Sequence, residues 1–191
     1  MQSSSSTMPT SVRLGGTAAA LAGLCYGAAG YLDRPGISGY TGILVSVLIV
    51  AIPALFLGGL MGLYVRLLLV AQTSLASGAG LVLGCFGSVL GMVGTLGLAR
   101  TPYSQITEWW WVPLLVGLAL MGLALSSKEG LRLLGAVVSI SDALGWVSLL
   151  TDPAFTGVVV PMRSVHVASA AAFCVSTVVW GAVLMMLHED R

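Results

Sequence analysis

Residues 41–65 read TGILVSVLIVAIPALFLGGLMGLYV, a run without a single charged side chain. A helix needs roughly 20 mostly apolar residues to cross the hydrocarbon core of a bilayer, so this run is long enough to span one. The rest of the chain has the same character: 57% of its 191 residues are hydrophobic, 8% are charged, and the mean hydropathy is +1.00. Because a soluble domain carries about 25% charged residues, the sequence predicts a protein surrounded by lipid.

Five further apolar runs are separated from this one by charged turns or by loops. Since a helix satisfies its own backbone hydrogen bonds in lipid, the predicted fold class is all-α, a polytopic transmembrane bundle of about six helices. We expect one domain, 13–191, after a disordered polar N-terminus, 1–12. Segment 67–77 either extends the second helix or lies at the membrane interface. The predicted helices are 14–32, 41–65, 78–99, 109–127, 131–150 and 164–187.

The six runs can also be divided into three repeated helical hairpins. Pro53 and Pro113 lie 60 residues apart, and so do the Met-Gly-Leu triplets that begin at Met61 and Met121. A two-helix repeat keeps the same orientation in each copy, so these would be parallel repeats. The competing explanation is composition, because segments rich in Leu, Gly and Ala share identities by chance.

Positively charged residues predict the orientation. An even number of helices places both termini on one side, and cytoplasmic segments carry the excess of Lys and Arg. We therefore expect a multi-pass protein of the cell membrane with both termini in the cytoplasm. The cytoplasmic side would hold Arg13, Arg66, Lys128, Arg132 and Arg191, and the other side would hold Arg34, Arg100 and Arg163.

Small residues recur at helical spacing in two of the runs. Residues spaced by four and three lie on one face of a helix, and small residues let helix backbones approach closely in lipid. Both rows therefore predict helix-packing seams, within the chain or with a second copy or another membrane subunit. The third helix carries Gly80, Gly84, Gly87, Gly91 and Gly94, and the first carries Gly16, Ala20, Gly23, Gly27 and Gly30.

Asp142 lies near the middle of the predicted fifth helix, where an unpaired charge is costly. Aligning Arg132 with Arg13 places Asp142 in the row of small residues, on the same face as Ser139 and Trp146. His166 on the sixth helix is the nearest candidate partner, through water. One interpretation is a proton, cation or ligand site formed by Asp142, Ser139 and His166. The other is a protonated carboxyl bonded to serine or backbone, or a local break of the helix.

Signals for several other functions are missing from the sequence. There is no basic stripe, so we expect no nucleic-acid partner. Cys25, Cys85 and Cys174 lack metal-ligand spacing, and both histidines lie on one helix, so neither a metal nor a cofactor is predicted. No GxSxG, HExxH or Walker motif is present. The sequence therefore assigns no catalytic residue and disfavours an enzyme.

Aromatic residues cluster at the start of the fourth helix, where Trp109, Trp110 and Trp111 follow one another. Interfacial tryptophans anchor membrane helices at the depth of the lipid headgroups, and we expect that role for all three. The alternative is a contact surface for a lipid, a quinone or a pigment.

Three segments carry a resemblance to known proteins: the opening Arg13-Leu14-Gly15-Gly16, the helix exit at 59–66, and the glycine-rich helix at 78–97. Together with the absence of asparagine and the single lysine, they resemble the small multi-pass membrane proteins of high-GC bacteria, which have no characterised function. The resemblance covers about the first hundred residues. It implies a membrane topology and carries over neither an activity nor site residues.

The predicted function follows from abundant packing surface and the near absence of a soluble part. We expect an integral membrane protein in contact with the lipid bilayer that serves as a structural or accessory subunit, together with other membrane subunits or as a homo-oligomer. The alternative is a small proton- or cation-coupled transporter in which Asp142 is the coupling carboxylate. An intramembrane enzyme or a pigment-binding protein is a third hypothesis.

Overall fold

The computed structural model describes residues 9–32, 40–70, 73–96, 109–152 and 163–187, and only the backbone of 40–43 and 163. All the regular structure in these ranges is α-helical, and it confirms the predicted all-α fold class. The helix ends differ from the predicted ones by at most four residues, at Thr10, Leu69 and Thr95. The helices are α1 (Thr10–Leu32), α2 (Tyr40–Leu69), α3 (Leu75–Thr95), α4 (Trp111–Ser126), α5 (Arg132–Thr151) and α6 (Arg163–Met186).

The six helices form a closed ring in chain order. Each packs against the helices before and after it in the chain, and α6 closes the ring against α1. Helix α2 leans toward the centre, because it also touches α4 and α6, and its Phe56 is fully buried. Neighbouring helices run antiparallel, so both ends of the described chain lie at one end of the ring. We call this end of the ring the closed end. The opposite end, where α1, α3 and α5 finish, is called the cavity end.

Local signals explain two of the helix connections at the closed end. Helix α2 continues to Leu69, so the first residues of segment 67–77 extend it. Ser74 then caps α3, because its hydroxyl accepts from the Ser77 backbone amide while the Ser77 hydroxyl accepts from the Ser74 amide. This reciprocal capping satisfies two amides that a helix start leaves unpaired. Between α4 and α5, Gly130 adopts a φ of 79°, a conformation that glycine reaches without steric cost.

Length and composition make four of the described helices able to cross a membrane: α2 from Leu44 onward, α3, α5 and α6. Helix α4 is equally apolar but has 16 residues, about 24 Å at ~1.5 Å per residue. Helix α1 is long enough, but glycine and alanine dilute its hydropathy. The outer faces carry exposed large side chains such as Val82, Phe86 and Val175, as expected where lipid is the solvent. The length and apolarity of these four helices are compatible with an integral membrane protein.

The glycines of α3 lie against α4 and α2. A Cβ added to Gly80 would lie 2.9 Å from the carbonyl oxygen of Gly117, and one added to Gly87 would lie 2.6 Å from the backbone nitrogen of Leu114. At Gly91 the added atom would meet Trp110, and at Gly84 it would meet Leu60. The α3 row thus packs inside the chain, which was one of the two possibilities left open by the sequence. Gly94, the last of the row, is half-buried.

The predicted hairpin repeat is matched by some contacts and not by others. In α1, Gly16 and Gly23 face α6. In α5, Gly135 faces Ser126 of α4. Helices α1 and α5 thus turn this row toward the preceding helix of the ring, which is α6 for α1 and α4 for α5. The corresponding row of α3 faces α4, the helix that follows. The repeat therefore stays a prediction.

Candidate functional site

Helices α1 and α6 touch at the closed end and separate toward the cavity end. A Cβ added to Gly16 would lie 2.7 Å from the carbonyl oxygen of Gly181. A Cβ added to Gly23 would lie 2.6 Å from the carbonyl oxygen of Cys174. One turn further, at Gly27, its nearest neighbour is the Cys174 Sγ at 3.5 Å, and at Gly30 no atom lies within 4 Å. Gly27, which the sequence placed in the packing seam, therefore lies at the edge of an open space.

A cavity of about 610 Å³ occupies this space. It lies between α1, α2 and α6 and the adjoining ends of α3, α4 and α5. On α6 it extends as far as Cys174, 11 residues after Arg163, or about 16 Å along the axis. Ligand pockets in proteins commonly enclose about 300–1,000 Å³, so this main cavity has the size of a small-molecule site. Its polar and aromatic lining comprises Tyr26, Tyr31, Thr95, Trp110, Trp111, Asp152 and His166.

An aromatic cluster contributes Tyr26, Trp110 and Trp111 to the wall of the main cavity and continues into the bundle core through Phe173 and Phe56. Trp110 and Trp111 stack with their ring centroids 3.9 Å apart. Tyr26 meets Trp111 edge to face at 5.4 Å and Phe173 at 5.6 Å. Phe56 stacks on Phe173 at 5.9 Å. The three pairs between helices, at 5.4–5.9 Å, lie in the range of about 4.5–7 Å that aromatic rings favour, so the cluster joins four helices.

The position of the tryptophans differs from the one expected for interfacial anchors. Trp109 is 54% exposed and suits that role, but Trp110 is 8% exposed and Trp111 is half-buried in the aromatic cluster. The reason is the register at the start of α4, which turns the Trp111 ring inward onto α1, α2 and α6 and the Trp110 ring against Gly91 of α3. Their contacts are those of a cavity wall.

Two ionisable side chains lie on the α5 and α6 sides of the main cavity. Asp152 is the C-terminal cap residue of α5, and His166 lies in the first turn of α6. The His166 Nδ1 is 2.9 Å from the carbonyl oxygen of Ser148. Because a carbonyl can only accept, the His166 Nδ1 carries the hydrogen and donates it to Ser148. The hydroxyls of Tyr26 and Ser148 also interact across the gap between α1 and α5.

A second, smaller cavity of about 40 Å³ adjoins the first. It shares Tyr26, Trp111 and Asp152 with the main cavity and reaches down α5 to Gly145. This volume can hold one water molecule or a small cluster, for which about 10–15 Å³ is the minimum. Gly145 lies one turn from Asp142 on the same face of α5. The two cavities therefore lead from the cavity end to within a helical turn of that carboxylate.

Asp142 faces the interior of the bundle, where it is 8% exposed. Its Oδ1 is buried without a hydrogen-bond partner among the described residues. The hydroxyl next to it in the chain is already used, since Ser141 bonds to Thr177 at 3.1 Å and accepts from Ser176 at 3.0 Å. Helix α5 is continuous through 139–141, so the local break considered from sequence is not present. Of the sequence alternatives, the serine-bonded carboxyl finds no support in these contacts.

The three residues predicted to form one site are placed apart. Ser139 is half-buried and faces α4, where a Cβ on Gly122 would lie 2.5 Å from its Oγ. His166 bonds to Ser148, six residues beyond Asp142, or about 9 Å along α5. The small cavity lies between the level of His166 and the level of Asp142. The structure thus brings His166 together with Asp152 and the aromatic cluster, and leaves Asp142 below them.

Metal-ligating groups do not gather in the part of the chain that the structure describes. No three His, Cys, Asp or Glu side chains there lie close enough to share an ion, and the three cysteines are free thiols. Cys174 is the cysteine that lines the main cavity.

Sequence reasoning missed Asp152, Tyr26 and Phe173 as site residues. Asp152 looked like an ordinary loop acid, although it directly follows an apolar helix that already carries Asp142. Tyr26 and Phe173 are single aromatic residues in apolar runs, which usually mark a core. Only the ring order of the helices, with α6 closing on α1, brings them together.

Comparison with protein-family models, with curated proteins and with solved structures finds no match to this chain.

Proposed function

We propose that the protein is a small membrane carrier that takes up a solute in the main cavity and couples its movement to a proton or cation at Asp142. The observation that carries the proposal is the pair of adjoining cavities, which end one turn from the Asp142 carboxylate. Its Oδ1 is buried and has no hydrogen-bond partner in the part of the chain that the structure describes. Intramembrane carboxylates are rare and costly, and those that occur commonly mark ion or proton pathways.

The path from the cavity end supports this role. Asp152 and Tyr26 line both cavities, and Ser148 supplies a hydroxyl to the small one. Water held by these groups would connect Asp142 with the main cavity, while Trp111 and Phe173 exclude lipid from the same space. Protonation or cation binding neutralises a buried carboxylate and removes most of the cost of its burial. Occupancy of Asp142 can therefore favour one packing of α5 over another.

Alternating access requires a second conformation in which the closed end opens. The closed end is held by contacts between backbones, for example those of Gly16 with Gly181. Asp142 lies between this end and the small cavity, at the level of the hydrogen bonds that join α5 to α6. A change at this carboxylate would act on the α5–α6 contact, whose upper end meets the main cavity at Asp152 and His166.

Substitution of Asp142 tests the carrier directly. The protein is reconstituted into vesicles that enclose the pH dye pyranine, and amines, amino acids, sugars and metal cations are added outside in turn. We expect at least one solute to drive proton movement, and Asp142→Asn to abolish that movement with helix content unchanged. Glu129→Gln, which removes an exposed carboxylate from the α4–α5 turn, is the matched control and should behave like the unaltered protein. The proposal fails if no solute moves protons or if Asp142→Asn transports normally.

A structural or accessory subunit, the role that the sequence favoured, is the second candidate. In its favour is a shallow groove of about 510 Å³ on the outer face between α5 and α6, lined by small and β-branched residues such as Ala171, Ala172 and Val175. Small residues suit close packing of a further membrane helix. Purification in mild detergent separates the candidates, because a carrier should remain functional alone, whereas an accessory subunit should copurify with a partner in fixed ratio.

A further inference from the structure

We propose that the main cavity opens sideways to the bilayer between α1 and α6, and that its solute is a single-chain amphiphile that enters from the lipid. Such a molecule has a polar end and an apolar chain, and it partitions into the membrane before it meets the protein. The inference rests on the proposed function, because it names the substrate class and the entry route of the cavity that the carrier would use.

The α1 side of the main cavity borders a gap between α1 and α6. At Gly23 the two helices touch through their backbones, whereas a Cβ added to Gly27 would meet only the Cys174 side chain, at 3.5 Å and 3.7 Å. A Cβ added to Gly30 would meet no described atom within 4 Å, and Gly30 is exposed. Gly27 and Gly30 both line the cavity. The gap therefore widens from Gly23 toward the cavity end and joins the cavity.

A row of small and β-branched residues on α6 leads from the lipid to this gap. Val167, Ala171 and Val175 are spaced by four, so they follow one face of the helix. Val175 is 64% exposed and lines the shallow groove on the outer face between α5 and α6. Val167, which is 52% exposed, lines the main cavity. Ala171 lines both, so the lipid-facing surface of α6 continues into the cavity.

The side of the cavity toward α5 is polar. His166 donates to the Ser148 carbonyl, and the Tyr26 hydroxyl interacts with the Ser148 hydroxyl, so both side chains reach toward α5. Asp152 lies at the end of the same helix and lines the same cavity. These groups include hydrogen-bond donors as well as acceptors. They suit the polar end of a ligand and do not select its charge.

The gap itself is apolar, since Val167 and Ala171 on one helix and the two glycines on the other carry no polar side-chain atom. An alkyl chain lying there would keep its contact with lipid, while the polar end of the same molecule reached the groups near α5. A fully polar solute would gain nothing from the gap. The two parts of the cavity are thus complementary to the two parts of an amphiphile.

Two thiol reagents that reach Cys174 by different routes test the opening. With Cys25 and Cys85 replaced by alanine, the protein in vesicles is labelled with N-decylmaleimide, which partitions into lipid, or with a charged methanethiosulfonate, which stays in water. We expect both reagents to label Cys174. Gly30→Phe should slow the alkyl reagent about tenfold more than the charged one, because the added ring occupies the gap, where a Cβ has room.

Val82→Phe is the matched control, because it enlarges a side chain on the outer face of α3 that is already 67% exposed. It should change neither labelling rate. The lateral opening is refuted by an alkyl reagent that fails to label Cys174, or that Gly30→Phe slows no more than it slows the charged reagent.

Protection of Cys174 tests the substrate class. The neutral amphiphile 1-decanoylglycerol, kept below the concentration at which it forms micelles, is compared with glycerol, its water-soluble counterpart. We expect saturable protection against the methanethiosulfonate by decanoylglycerol, none by glycerol, and loss of protection in Gly30→Phe. Absent protection, equal protection by the two compounds, or protection that Gly30→Phe leaves unchanged would overturn the assignment.

The same amphiphile distinguishes this inference from the carrier on which it rests. Decanoylglycerol is added to the vesicles that enclose pyranine, where we expect it to drive proton movement that Asp142→Asn abolishes. Failure of the carrier would appear as protection of Cys174 without proton movement. Failure of the substrate assignment would appear as proton movement driven by a water-soluble solute, with Cys174 unprotected by decanoylglycerol.

Discussion

The contact between α1 and α6 differs between its two ends. At the closed end Gly16 and Gly23 press against backbone atoms of α6, and nothing larger than hydrogen fits between the helices. At the cavity end Gly27 and Gly30 continue the same row, yet the space beside them is open. The side chains differ between the two halves. In the tight half Gly181 of α6 lies against Gly16 and Ala20 of α1, whereas toward the open half the rings of Tyr26 and Phe173 meet edge to face. The comparison shows that one row of small residues can close a bundle at one end and line a cavity at the other.

The largest expected effect comes from adding the same side chain at both ends of this row. Gly23→Val places a Cβ against the Cys174 carbonyl, and overpacking of this kind costs about 1–3 kcal/mol. Gly30→Val, seven residues along the same face, should cost little, because its Cβ meets no atom within 4 Å. Thermal unfolding in detergent, followed by circular dichroism, measures both. Equal losses of stability would contradict the division into a tight end and an open end.

A smaller effect is expected between the two ends, where hydroxyls join α5 to α6. Thr177 donates to the Phe173 carbonyl at 2.8 Å, so Ser141 must donate to Thr177. Thr177→Val keeps the shape and removes this acceptor, and side-chain hydrogen bonds between membrane helices contribute about 0.6–1.7 kcal/mol. We expect a loss in this range from the same unfolding measurement.

Thr151→Val is the control for that variant. Among the described residues, the Thr151 hydroxyl bonds only within its own helix, to the carbonyls of Val147 and Ser148, so no contact between described helices depends on it. We expect its loss of stability to be the smaller of the two. A loss as large as that of Thr177→Val would remove the role assigned to the α5–α6 hydrogen bonds.

The helices could be predicted from sequence because each is a long apolar run between polar turns, and this pattern needs no knowledge of neighbours. The α3 seam was also visible, since spacing alone places Gly80, Gly84 and Gly87 on one face. Which helix that face meets was not visible, because the order of the ring depends on how α6 returns to α1. The predicted orientation, with both termini in the cytoplasm, stays a prediction.

The candidate site was predictable only in part. Asp142 stands out in any apolar run, and its register indicated an interior position. Pairing it with His166 required the relative height of α5 and α6, which is set by the Ser148 and Thr177 contacts and leaves no trace in sequence spacing. The tryptophans at the start of α4 have the usual signature of an interfacial belt, and only the register of the helix turns two of them inward.

The central claim is that lipid surrounds the outer faces while the main cavity admits water and solute, and two adjacent positions on α6 test it. Cys174 lines the cavity, and Val175 beside it is 64% exposed on the outer face. With Cys25 and Cys85 replaced by alanine, a charged, membrane-impermeant methanethiosulfonate should modify a cysteine in the cavity, at Cys174 or in Gly30→Cys. It should leave Val175→Cys unmodified in a Cys174→Ala background. Labelling at position 175 with both cavity positions unlabelled would contradict the account.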